Sequence, residues 1–400
     1  MSTSALTPLP PAADAARRGA LVAGGVGALA LGLGAFFNLD HFFRSYLFAY
    51  LFWAGVGIGC LSILMIHHLT GGIWGLVIRR PLEAGARTLR PAFAILFLPL
   101  LLGLPRLYVW ARPEAVRADP ILQMKEPYLN VPFFIARAVF YFAVWMVLAH
   151  LLSRWSLELD REGSLRVARR LRSLAGGGLL LMGFTITFSA VDWGMSLNPH
   201  WFSTIYGILY MVGQVLSAMA LMIVVLARLS ATGAMAAVAR PGAVHDLGKL
   251  LLAFVMLWAY VNVSQFLIIW SANLPEEIPF YIQRLDGGWK WVGAALVVFH
   301  FALPFLLLLS RDLKRNARLL GAVAAGVFAV RILDLFWLVA PDLQGGAHGG
   351  HGAGLSVHWM DVAALLALGG AWVLVFLREL AAAPLLPVDP ELAEFAAEGH

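Results

Sequence analysis

Hydrophobic side chains gather in ten runs along the 400-residue chain, near 19–37, 45–69, 90–110, 132–153, 171–192, 201–228, 246–270, 289–310, 318–340 and 357–380. Roughly 20 helical residues cross the hydrocarbon core of a bilayer, and each run is about that long or longer. None alternates apolar and polar positions as a membrane strand must. The pattern therefore predicts an all-α integral membrane protein with ten transmembrane helices. Residues 1–18 read as a disordered tail, 19–383 as the membrane domain and 384–400 as an acidic tail. No cleavage site follows the first run, so it reads as an anchor.

Composition agrees: 60% of residues are apolar and only 13% are charged, the reverse of a soluble domain. Charge then sets orientation. With the N-terminus in the cytoplasm, most of the 29 Lys and Arg residues fall on inner connections. The outer side keeps Arg44, Arg106, Arg112, Arg117, Lys125, Arg284 and Lys290. The positive-inside rule then puts both termini in the cytoplasm and explains the net charge of +6 without a nucleic acid. Cys60 is the single cysteine, too few for an iron–sulfur cluster or a covalently attached haem.

Three sequence echoes suggest an internal repeat. Val131-Pro132-Phe133-Phe134-Ile135-Ala136-Arg137 returns as Ile278-Pro279-Phe280-Tyr281-Ile282-Gln283-Arg284. His41-Phe42, His200-Trp201 and His358-Trp359 open the second, sixth and tenth runs, and Phe184–Trp193 matches Phe328–Trp337 in place. They predict two four-helix bundles, spans 2–5 and 6–9, in parallel repeat with two flanking helices. A shared taste of outer boundaries for Pro, His and aromatics would give the same echoes.

Polar groups inside the runs need a reason, since each costs roughly 2.5–3.5 kcal/mol near the bilayer centre. Arg331 and Asp334 stand one turn apart in the ninth run, as a structural pair or as a proton carrier tuned by its arginine. His300 falls near the midplane, either packed or part of a proton relay, with Pro304 freeing a carbonyl nearby. Asp192 and Asp361 are proton-path candidates or helix caps. Asn262 and Gln265 also lie in the outer third, while the inner half offers mainly His67, His68, His150, His245 and Asp246, so the polar interior leans outward. The Gly345–Gly352 segment, with His348 and His351, reads as a plain linker without a metal site.

The stretch from Asp192 to Gly207 joins an Asn198-Pro199 break to His200, Trp201 and Tyr206 between two long runs. It resembles the hinge of the NrfD-like polytopic membrane proteins of quinol-oxidising complexes, in particular the ActF family found in alternative complex III. His67-His68-Leu69-Thr70-Gly71-Gly72-Ile73-Trp74, Arg79-Arg80-Pro81-Leu82-Glu83 and the stretch from Asp246 through Gln265 to Glu277 share the likeness, which runs from about Phe42 to Leu380. The resemblance implies a bacterial inner-membrane subunit of a quinol:cytochrome c oxidoreductase. It would supply scaffold, a proton path and a quinone or menaquinone site near the outer face, with His200, Trp201, Tyr206 and Gln265 as candidates. Haems and iron–sulfur clusters would sit on partners: a multihaem cytochrome c, an iron–sulfur protein and an NrfD-like sister subunit. A secondary transporter with parallel repeats and a b-haem membrane anchor are the rival readings.

Overall fold

The computed structural model describes residues 11–230, 234–344 and 354–397. The described residues are helical, without a strand, and nine helices are long and apolar enough to cross a membrane. The chain is a multi-pass membrane protein. The Gly345–Gly352 segment, with its two histidines, lies outside the described residues.

The helices used below are α1 (Pro11–Phe37), α2 (Leu39–Thr70), α3 (Arg79–Arg87), α4 (Val131–Glu162), α5 (Leu165–Trp193), α6 (Tyr206–Leu229), α7 (Pro241–Ala272), α8 (Pro279–Leu285), α9 (Trp289–Leu309), α10 (Ala317–Gln344), α11 (Trp359–Ala381) and α12 (Pro390–Ala397). Polar residues mark where several begin. Asn38 and Asn130 accept the Nα–H of His41 and Phe133 at α2 and α4, and His358 and Asp361 form a reciprocal box at α11. Gly163 ends α4 in the left-handed conformation with φ 61°, turning the chain into α5. α1 starts at Pro11, so residues 11–18 are helical and not the disordered tail the sequence suggested.

α2 is almost wholly enclosed and packs against α3, α5, α6 and α11. A Cβ on Gly55 would overlap the Gln214 amide of α6, so glycine there sets how closely the two central helices approach. α1 runs along α11 at the periphery and leaves most of its own surface open to lipid.

The third hydrophobic run is the main departure from ten uninterrupted helices. Instead of one span over 90–110 it forms short pieces, Leu89–Phe93, Leu98–Leu102 and Leu104–Leu107, with Arg90 extended at φ −109°, ψ 138°. Pro91, Pro99 and Pro105 each remove an amide donor, which one helix cannot absorb three times in fifteen residues. Carbonyls in this broken run find donors on α2: Tyr50 Oη donates to Phe93 O and Tyr46 Oη to Leu96 O, both at 2.7 Å. Irregular backbone at such depth survives only when neighbours satisfy it in this way.

Candidate functional site

Alternate ends of the helices differ in chemistry, one end rich in arginine and the other in tryptophan. Three buried arginine–carboxylate pairs stand toward the tryptophan-rich end, Arg137–Asp192, Arg331–Asp334 and Arg284–Asp342. In the first, Asp192 near the end of α5 accepts Arg137 Nε at 2.8 Å, Arg137 Nη2 at 2.9 Å and Tyr141 Oη at 2.8 Å, all from α4. Arg137 lies over the rings of Tyr128 and Phe133, at 3.9 and 4.4 Å. Trp193 beside it is packed among Tyr50, Phe97, Tyr141, Phe142 and Trp145. Asp192, a proton-path candidate by sequence, is thus fully buried and fully engaged.

The second centre joins α6, α7, α9 and α10. Arg331 Nη1 donates to Asp334 Oδ2 at 2.6 Å, one turn along α10, and Trp258 Nε1 of α7 donates to the same oxygen at 2.9 Å. Arg331 Nε reaches Gly213 O of α6 at 3.0 Å, and a Cβ on Gly213 would collide with the guanidinium. Asp334 Oδ1 has no hydrogen-bond partner among the described residues. The His300 ring meets Trp258 edge-on at 4.4 Å, with Nε2 4.0 Å from Asp334 Oδ2. Neither His300 nitrogen is hydrogen-bonded among the described residues, so the carbonyl expected from Pro304 does not serve it. The π-helical turn Val297–Ala302 carries His300 and precedes Pro304; a widened turn is a common way to accommodate a proline inside a helix.

Asp334 lines a cavity of about 830 Å³ between α7, α8, α9 and α10. Its walls are mostly apolar, including Phe266, Leu267, Leu296 and Val297, and its polar points include Asp334, Tyr281, Asn262, Ser264, Lys290 and Arg284. Tyr260 and Val297 on this wall are exposed to the surroundings of the helices, which opens the cavity toward lipid. Trp337 contributes its indole, whose Nε1 has no partner among the described residues. Burial pushes the Tyr281 hydroxyl up to about 12, so it stays a neutral donor at any physiological pH.

Arg284 closes one side of this cavity and cannot itself act as a free cation. It donates to Asp342 at 2.6 Å, Leu338 O at 2.7 Å and Trp337 O at 3.1 Å, and it stacks 3.5 Å from the Phe280 ring. Pro341 inside α10 lacks the N–H that would pair with Trp337 O, and Arg284 supplies the missing donor.

The quinone candidates from the hinge do not form one pocket. His200 Nε2 pairs with Asp119 at 2.6 Å at the exposed rim. Slight desolvation would raise Asp119, but the Ile121 N–H and His200 hold its carboxyl below the usual range. Trp201 is stacked on Phe280 at 4.2 Å, donates to Glu277 O at 3.0 Å and meets Tyr206 edge-on at 5.7 Å. Gln265 accepts from Ser203 Oγ at 3.2 Å and donates to Tyr281 Oη at 3.4 Å, which links it to the cavity wall. Asp361 accepts Ser45 Oγ at 2.6 Å and the His358 N–H at 2.9 Å, so of its two sequence readings it occupies a cap. The His41 and His358 rings lie 3.9 Å apart, tilted by 44°, while His200, their sequence echo, lies with Asp119.

The arginine-rich end corrects the expectation of an outward-leaning polar interior. Every residue of α3 is buried, and Arg79 and Arg80 both pair with Asp160 of α4 while Arg80 also holds Glu83 at 2.5 Å. Arg87 reaches Glu379 and Arg90 meets His150 at 2.8 Å. Among the described residues, no three His, Cys, Asp or Glu side chains gather as a metal site. Comparison with known family models and with curated proteins gives no match to this chain.

Proposed function

We propose that the chain is a membrane subunit of a quinol:cytochrome c oxidoreductase complex of the alternative complex III type, with its quinol site in the cavity beside Asp334. It lies in the bacterial inner membrane with both termini cytoplasmic, as the arginine bias favours. The observation that carries the reading is a lipid-facing apolar cavity ending in a buried carboxylate with one free oxygen. A quinol is a flat amphiphile that arrives from the bilayer. Apolar walls suit its ring and tail, and the Tyr281 hydroxyl suits one of its oxygens. Oxidation releases two protons and two electrons. Asp334 Oδ1 is placed to accept a proton, His300 Nε2 stands 4.0 Å from the other oxygen, Oδ2, and the electrons pass to metal groups on a partner subunit.

The proposal keeps ten passes and the parallel repeat of two four-helix bundles. In support, Arg137 over Phe133 and Arg284 over Phe280 repeat one contact at matching positions of the two echoes, and each arginine holds a carboxylate from a later helix. The transporter alternative needs interruptions at matching depths. The broken third run instead corresponds in order to α7, which is continuous from Pro241 to Ala272.

Purification in mild detergent tests the reading. It expects a multihaem cytochrome c, an iron–sulfur protein and a sister membrane subunit in stoichiometric amounts. Isolation of the chain alone, without redox partners, contradicts it.

A further inference from the structure

α5 presents one continuous exposed lane along its lipid-facing side. Arg166, Arg169, Arg170 and Ser173 occupy its first turns, followed at helical spacing by Gly177, Leu180, Phe184 and Phe188, all exposed. The polar part borders a groove of about 770 Å³ against Trp155 of α4. None of the three guanidinium groups has an ion-pair or hydrogen-bond partner among the described residues, and no carboxylate lines the groove.

The groove on the other side of α4 makes the contrast. It holds Arg87, Arg90, Arg154 and Arg161, but Glu158 and Glu162 line it too, and Glu379 pairs with Arg87 and Arg90. That groove is compensated by its own residues. The groove of α5 is not, and its charge sits directly above an apolar track.

We propose that this lane seats one anionic phospholipid, its phosphate held by Arg166, Arg169 and Arg170 and an acyl chain lying along Gly177, Leu180 and Phe184. Three unpartnered guanidinium groups at i, i+3 and i+4 spacing match a phosphate, and the neighbouring Trp155 suits the interface where headgroups lie. The dimensions agree. From Ser173 to Phe184 the helix rises roughly 16 Å, about half a hydrocarbon core and so one leaflet. Gly177 keeps the track flat, because nothing lies within 4 Å of where its Cβ would be. A protein partner would leave this gradient from charge to pure hydrocarbon unexplained. The site is independent of the quinol reading.

Native mass spectrometry of the intact chain, released from vesicles of equal phosphatidylglycerol and phosphatidylcholine, tests the proposal. We expect one phosphatidylglycerol retained in preference to phosphatidylcholine and undisturbed by added inorganic phosphate. Each arginine replaced by Gln should weaken retention about fivefold, and R166K/R169K/R170K should keep most of it. G177W leaves the arginines intact, blocks the track and should also lose the lipid, which keeps the test open if R166Q/R169Q/R170Q does not fold. Equal retention of both lipids, displacement by phosphate, no lipid on the unaltered protein, or full retention by the Gln and Trp variants would each overturn the proposal.

Discussion

The Arg137–Asp192 centre and the Arg331–Asp334 centre share their chemistry but differ in what surrounds the carboxylate. Asp192 spends both oxygens on two guanidinium N–H groups and a tyrosine, beneath a tryptophan closed in by five aromatic rings. Asp334 takes both of its donors on one oxygen and turns the other toward a cavity, with Trp337 on the same wall. Both Trp193 and Trp337 carry a buried indole N–H without a partner among the described residues, yet only Trp337 lines the cavity. A buried ion pair with every donor used holds helices together. The same pair with a spare acceptor can take a proton.

The largest effect should come from the closed centre. Asp192→Ala strands the Arg137 charge, and losing one partner of a buried pair costs about 3–5 kcal/mol. The expected outcome is a sharp fall in thermal stability and in the yield of folded protein. Wild-type stability would mean that water reaches Arg137 and that the centre is not closed.

Next comes the broken run, which the closed centre packs against through Phe97. Tyr50→Phe leaves the Phe93 carbonyl without its donor and should cost about 1–3 kcal/mol, read as a lower unfolding midpoint. Tyr281→Phe at the open centre should lower that midpoint less, because it removes one long contact, Gln265 Nε2 to Tyr281 Oη at 3.4 Å, against the 2.7 Å bond of Tyr50. Equal losses in the two variants would erase the distinction between the regions.

Trp337→Phe shrinks the ring at the cavity wall and removes its buried N–H. The lost apolar contact should raise the quinol KM about fivefold, ~1 kcal/mol, with thermal stability nearly intact. Trp193→Phe should leave KM alone. A KM change in Trp193→Phe of the same size would show that both centres respond to packing and neither to ligand.

The smallest effects belong to the rim. His200→Ala should leave quinol affinity and turnover unchanged, since His200 engages Asp119 and not the cavity. The Asp119 carboxyl is lowered in the folded protein, so its contribution is present above the unfolded value of 3.8 and fades as pH falls through the still lower folded value. Loosening of the contact on acidification, followed by the Asp119 side-chain carboxyl carbon NMR shift, is therefore expected only below pH 3.8. An Asp119 carboxyl that already titrates above pH 3.8 would contradict the pairing.

Several of these features were legible in the residues. The apolar length of 90–110 argues for a span, while its three prolines argue against one continuous helix, and in the folded chain the prolines win. The i, i+3 spacing of Arg331 and Asp334 foretold their contact because both lie on one helix. The partners that separate the two centres were not legible. Arg137 and Asp192 are 55 residues apart and Trp258 and Asp334 are 76 apart, and only packing brings them together. α3 hides its role for a physical reason: three arginines in nine residues look like a solvated loop until Asp160, Glu83 and Glu379 bury them. His200 and Trp201 draw attention as adjacent residues at a hinge, yet adjacent side chains in a turn point apart, one to the rim and one into the Phe280 stack.

Quinol oxidation by the assembled complex carrying Asp334→Asn, compared with Arg331→Gln and the double variant across pH, tests the open centre most directly. The substitution keeps the shape of the side chain and removes its charge and its ability to take a proton. The account expects Asp334→Asn to leave the complex assembled while turnover falls at least about tenfold, with a changed pH profile, and it expects no rescue when Arg331→Gln is added. A pair that merely balances charge would behave in the opposite way. Each single variant would then lose assembly and the double variant would regain near-normal turnover, and that result would contradict the account.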